Sequence, residues 1–278
     1  MKHIYLNLKR FDVPVELGGV NRLAPVEHWA QTVVHGIQEG LKRYHPAQAE
    51  FAVFFPEAYL LPASGARCPG SPVRLGCQGV FRADTAAGGN FGAFTTNRPA
   101  HAAAALGCTH TLIGHCEERG DKAGVLAEAG VRNTAAVNRL LNQEVLAAQA
   151  AGLSVLYCVG EKSEEQDCWQ EVLGEQLDVG LQGADKRRVV IAYEPVWSIG
   201  PGKTPADRPY ITKIAAFIKE RTGGLDVVYG GGLKRDNARM LASIPEIDGG
   251  LIALTRFSGE IGFYPEEYLE IVSLYLNH

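Results

Sequence analysis

The chain has 278 residues, 46% of them hydrophobic, and a formal net charge of -4. That length suits two ordinary domains or one α/β barrel of roughly 250 residues with insertions, and the apolar content fills a full core. The slight negative charge, the lack of any basic block and the lack of an apolar stretch near roughly 20 residues exclude nucleic-acid and membrane partners.

From the N-terminus, residues 1–7 carry too short an apolar run for a signal peptide and pass directly into a strand pattern. Short apolar runs predict strands at 4–8, 52–55, 73–77, 111–114, 154–159, 189–193, 227–229 and 251–254. Amphipathic segments between them predict helices, clearest at 26–41, 133–151, 169–181, 207–221 and 265–276. Strand and helix thus alternate about eight times, which implies a parallel sheet with both faces covered. Eight repeats favour a closed (β/α)8 barrel, and no composition shift divides the chain, so residues 1–278 are expected to form one domain. Six cysteines (Cys68, Cys77, Cys108, Cys116, Cys158 and Cys168) form no CxxC pair or zinc spacing, and the eight histidines are scattered. Reduced thiols, a cytoplasmic setting and no metal are expected.

Polar residues cluster where these strands end. Lys9 follows the first strand and either points into a barrel mouth or snorkels to solvent. His115 follows the fourth strand and opens a polar, helical turn; alone it could be a satisfied structural histidine. Glu194 follows the sixth strand, and an isolated strand-end carboxylate could simply bond backbone. After it, Pro195, Gly200, Pro201 and Gly202 punctuate a segment that cannot be helix or strand interior, before a helical run resumes. Gly202-Lys203-Thr204 imitates the tail of a nucleotide-binding loop, but Trp197 stands where that motif needs an earlier glycine. Gly230, Gly231 and Gly232 follow the seventh strand, where backbone N–H groups could approach an anion or merely form a tight turn. A carboxylate at a strand end followed by a hinged loop is how such barrels place a base and a lid.

The run from Ala192 through Glu194 to Thr204 closely resembles the catalytic glutamate and mobile loop of the triosephosphate isomerase family. Ile113-Gly114-His115-Cys116-Glu117-Glu118-Arg119 resembles its Ile-Gly-His-Ser-Glu-Arg-Arg, and Asn7-Leu8-Lys9 its Asn-Trp-Lys. The similarity covers nearly the whole chain, from Asn7 to Leu254. It implies Glu194 as base, His115 as a neutral donor, Lys9 as the substrate-holding cation oriented by Glu117, and Asn7 beside the substrate. A neutral histidine at a helix N-terminus is the arrangement that this resemblance implies. Gly200 in the lid and Gly232 would offer backbone N–H groups to phosphate, and Cys158 would pack in support near the base.

Several positions depart from the family pattern. Gly232 replaces a serine, and Ala253 and Leu254 replace a phosphate-binding glycine pair, leaving the Leu254 N–H as a donor and Arg256 as a candidate ligand for a displaced anion. The third loop is longer, with Gly79 for asparagine and Asn97 for glutamate, while Glu118 replaces the arginine that pairs with that glutamate across the family dimer. A homodimer through the Thr95 loop, with a rebuilt interface, is therefore expected. The resemblance implies interconversion of dihydroxyacetone phosphate and glyceraldehyde 3-phosphate through an enediolate, on a small phosphorylated sugar and with no cofactor. An isomerase of a tetrose (erythrulose) phosphate and a catalytically silent anion-binding barrel remain as alternatives.

Overall fold

A computed structural model describes residues 1–200 and 203–277. Pro201 and Gly202, part of the lid segment, lie outside the described residues. The eight strands are β1 (Lys2–Asn7), β2 (Ala49–Phe55), β3 (Val73–Cys77), β4 (His110–Ile113), β5 (Ser154–Val159), β6 (Val189–Tyr193), β7 (Val227–Tyr229) and β8 (Gly249–Ile252). They form a closed barrel in chain order, with β8 returning to pair in parallel with β1. Among the described residues the helices are α1 (Trp29–Leu41), α2 (Leu60–Ala66), α3 (Ala100–Ala105), α4 (Cys116–Glu128), α5 (Thr134–Ala150), α6 (Trp169–Gly180), α7 (Arg208–Thr222), α8 (Ala238–Ala242) and α9 (Pro265–Leu276). Within them no helix is long and apolar enough to cross a membrane.

The strands alternate between two cores, as the period of two requires. Tyr5, Phe54, Leu112, Leu156, Cys158, Ala192, Val228 and Leu251 fill the barrel interior. Their neighbours Ile4, Leu6, Phe55, Val155 and Ile191 face outward into the larger core shared with the helices. Because both faces are buried, these strands read as apolar runs rather than as alternating ones. The expected β3, β5, β6 and β7 match the observed bounds. β8 begins two residues before the expected start, at Gly249, where a Cβ would collide with the backbone of His3 on β1. The two strands approach so closely that only glycine fits, and Ala253 and Leu254 fall beyond the ladder, in the loop that follows.

The N-terminal floor of the barrel is polar. His3 lies between two carboxylates, Nδ1 at 3.1 Å from Glu50 and Nε2 at 2.9 Å from Asp226. Arg74 and His110 also reach Glu50, at 3.0 and 3.4 Å. Burial opposes a charge on His3, yet the two carboxylates outweigh it and raise its pKa. This network ties β1 to β2, β3, β4 and the start of β7, and leaves the opposite mouth for chemistry.

Candidate active site

The expected site residues gather at the C-terminal mouth, where each strand hands over to its loop. Asn7, the last residue of β1, is buried, and its Oδ1 accepts the Lys9 N–H at 3.0 Å. Gln78, just past β3, spans the same corner: its Nε2 donates to Lys9 O at 3.0 Å and to Asn7 Oδ1 and Phe54 O at 3.3 Å each. Lys9 has φ +42°, a left-handed conformation that costs a non-glycine residue about 1–2 kcal/mol. Asn7 and Gln78 offset that strain by holding both of its peptide groups. Gln78 has one signal in the sequence, a polar side chain directly after a buried strand.

The Lys9 side chain is exposed, and its charge acts on Glu194 and Cys116. The expected pairing with Glu117 is not there: Glu117 is exposed, and among the described residues Lys9 forms no ion pair. Glu117 instead contributes its backbone, donating its N–H to His115 Nδ1 at 3.3 Å in the first turn of α4. The pairing fails because the two residues are held locally, Lys9 by β1 and Glu117 by the helix start, with solvent open to both side chains.

His115 is the N-cap of α4. With Nδ1 accepting an N–H, a neutral ring carries its proton on Nε2, which lies 3.4 Å from Glu194 Oε1. Glu194 is almost fully buried, and its Oε2 accepts the Cys116 N–H at 3.0 Å. A carboxylate therefore rests on the exposed N–H groups and positive dipole end of α4. Burial raises the Glu194 pKa; His115, the Cys116 N–H and Lys9 oppose it without cancelling it. Two glycines leave room for this residue. A Cβ at Gly160 would strike the Glu194 carbonyl, and one at Gly230 would lie 2.8 Å from Glu194 Cγ.

His115, Cys116 and Glu194 place one donor atom each within 4.8 Å of one another. Burial first, and then the Glu194 charge, pushes the Cys116 thiol up to about 11. Within this group His115 and Glu194 form a close acid–base pair. Cys158 sits wholly buried in the barrel interior, its thiol pushed up by burial and by the Glu194 charge.

The segment after Glu194 is anchored at its start. Glu161, fully buried at the end of β5, accepts three bonds at one oxygen: from Trp197 Nε1 at 2.7 Å, Tyr193 OH at 2.9 Å and Tyr210 OH at 3.0 Å. Trp197 also packs edge-on against Tyr210, with ring centroids 5.4 Å apart. Glu161 is a strand-end carboxylate like Glu194, and that position was its only signal in the sequence. Gly200 and Gly232 have φ +115° and +101°. Among the described residues the N–H groups of Gly200, Gly232 and Leu254 donate to no acceptor.

Arg256 does not join them. Its guanidinium donates to Glu267 Oε1 from Nε at 2.8 Å and from Nη2 at 2.6 Å, and stacks 3.9 Å above the Tyr264 ring. Arg256, expected as a ligand for a displaced phosphate, is here paired with Glu267 on α9. The loop after β8 returns on itself, with Thr255 and Arg256 bonded to Gly262, and so presents the arginine to Glu267.

A profile described as Triosephosphate isomerase matches residues 26–271. The triosephosphate isomerase of Alkalilimnicola ehrlichii is 35% identical over 231 residues, covering 78% of this chain and 82% of the relative. That of Halorhodospira halophila is 35% identical over 240 residues, covering 80% and 84%. The crystal structure of triosephosphate isomerase from Bartonella henselae superposes with a TM-score of 0.72 at 25% identity, covering 99% of this chain and 98% of that one. The chain belongs to the triosephosphate isomerase family. Within that family frame, the departures at Glu118 and Asn97 acquire a structural meaning. Both line one cavity of about 540 Å³ between the third loop and α4. Glu118 has taken partners inside its own chain: the Gly114 N–H at 2.7 Å and Lys122 Nζ at 2.9 Å. The long third loop stands out from the barrel, with Phe94 packed edge-on against Phe81 and Phe91 91% exposed.

Proposed function

We propose that this chain interconverts dihydroxyacetone phosphate and glyceraldehyde 3-phosphate, moving a proton between adjacent carbons through an enediolate. The buried Glu194 carboxylate beside the Nε2–H of His115, at the mouth of the barrel, carries this reading. Glu194 acts as the base. Its raised pKa makes it a stronger base than an exposed carboxylate, and it must first leave the Cys116 N–H to reach a substrate carbon. His115 donates from Nε2 to the substrate oxygen on which charge develops. Lys9, held at the mouth by Asn7 and Gln78, adds positive charge at the same place. The amides of Gly200, Gly232 and Leu254 receive the phosphate, and closure of the lid around Gly200 excludes water. Proton transfer of this kind uses neither metal nor organic cofactor.

We take residues 1–278 as one domain that works as a homodimer in the cytoplasm. The six free cysteines fit a reducing compartment, and the projecting third loop with its exposed Phe91 fits a partner subunit. A coupled assay with both triose phosphates, with erythrulose phosphate alongside, tests the reaction. Triose turnover is the expected result. No triose turnover above buffer, or a tenfold preference for the tetrose, would overturn it.

A further inference from the structure

We propose that Glu118 is a positioning residue for His115, acting through the peptide groups of Gly114. This rests on the isomerase reading, in which His115 must present Nε2 to the substrate.

Gly114 is the single residue between the end of β4 and the helix cap formed by His115. Its φ of +81° turns the chain from the strand toward the mouth, and a Cβ there would lie 2.8 Å from Cys158 O. Consecutive side chains of α4 take both of its hydrogen-bonding groups. Glu118 Oε2 accepts the Gly114 N–H at 2.7 Å, and Arg119 Nε donates to the Gly114 C=O at 2.8 Å. Arg119 is fixed in turn by Asn138 Oδ1 at 2.7 Å, Cys158 O at 2.9 Å and Tyr157 OH at 3.0 Å. The side-chain contacts of the imidazole are long, 3.3 Å to the Glu117 N–H and 3.4 Å to Glu194 Oε1. Its direction therefore follows the Gly114 backbone.

Glu118 is itself held. Lys122 bridges Glu118 and the buried Glu144, at 2.9 and 3.0 Å. Among the described residues Glu144 Oε2 has no hydrogen-bond partner. Two carboxylates on one Lys122 repel each other when both are ionised, which favours a proton on one of them. Burial and the Glu118 charge push Glu144 up to about 9, so that proton stays on Glu144. Burial works against the charge on Glu118, but the Glu144 proton, Lys122 and the Gly114 N–H keep it ionised. An ionised acceptor strengthens the bond to Gly114. None of these partners is a reacting group, so Glu118 acts on chemistry only through the backbone that carries His115.

The test compares Glu118→Leu with Glu118→Gln, which keeps an oxygen facing the Gly114 N–H. Turnover of triose phosphate is measured together with NMR of the Gly114 amide and the His115 ring nitrogens. Misplacing a catalytic group by about 1 Å can cost up to 10²-fold, so Glu118→Leu should lose about ten- to a hundredfold in kcat with little change in KM. Its Gly114 amide proton should move upfield, and the His115 ring signals should shift. Glu118→Gln should restore kcat to within about threefold and recover both sets of signals. If Glu118→Leu does not fold, Glu118→Asp replaces it, since a side chain one carbon shorter keeps the charge but loses the reach. Unmoved kcat or unmoved His115 signals in the folded Leu or Asp variant would overturn the proposal, as would a Gln variant that falls equally far. The NMR signals do not depend on turnover. An inactive wild-type protein would thus sink the isomerase reading while leaving the positioning test standing.

Discussion

Replacing Glu194 by glutamine should move activity and stability in opposite directions. The side chain is almost fully buried, and its Oε2 accepts the Cys116 N–H at 3.0 Å. Glutamine keeps the volume and can keep that acceptor, so the fold should survive. What is lost is the proton acceptor. General-base catalysis is typically worth about 10²–10⁴-fold, or about 3–5 kcal/mol of barrier, and kcat should fall by that factor. Stability should rise at neutral pH. Burial lifts the Glu194 pKa above its ordinary value, so the folded protein holds this proton more tightly than the unfolded chain does. The stability from that group is fully present below the unfolded carboxylate pKa and is lost as pH rises through the folded one. Glutamine never ionises, so its advantage over the wild type should be absent near pH 4 and grow toward pH 8. A coupled assay under conditions where chemistry limits the rate, with thermal melts at both pH values, reads the two effects. A loss of less than tenfold in kcat, or a Glu194→Gln protein less stable than wild type at pH 8, would refute the reasoning.

Nitrogen NMR of labelled histidine should show His115 with Nδ1 unprotonated and Nε2 carrying the proton; the opposite tautomer would contradict the Glu117 N–H contact. Glu144→Gln should melt higher than wild type at pH 9 but not at pH 5. Burial and the Glu118 charge raise Glu144 from 4.5 to about 9, so its contribution is lost across that interval as pH rises. A difference in melting temperature that stays constant with pH would exclude a proton held on Glu144. Sedimentation at micromolar concentration should show a dimer, and Phe91→Asp, at the 91% exposed position, should shift it toward monomer. Unchanged sedimentation would remove Phe91 from the interface.

The barrel was legible in the sequence because parallel strands buried on both faces must be apolar runs, and β3, β5, β6 and β7 have the expected bounds. Glu194, His115 and Lys9 were legible too, each within two residues of a strand end and so confined to the mouth by chain geometry alone. The partners of each side chain were not legible, because they lie far away in the chain. Gln78 reaches Asn7 across 71 positions, Glu161 gathers Trp197 and Tyr210 across 36 and 49, and Glu194 rests on Cys116 across 78. Arg256 looked available for phosphate until the fold brought Glu267 and Tyr264 against it. Glu118 read as a lost interface charge; the first turn of α4 makes it the acceptor for Gly114, and the packing of α4 beside α5 sets Lys122 between it and Glu144. Local sequence determined where each strand ends and which side chain stands there. Closure of the barrel decided what that side chain touches, since a hydrogen bond depends on distance in space, which strand and helix periodicity do not encode.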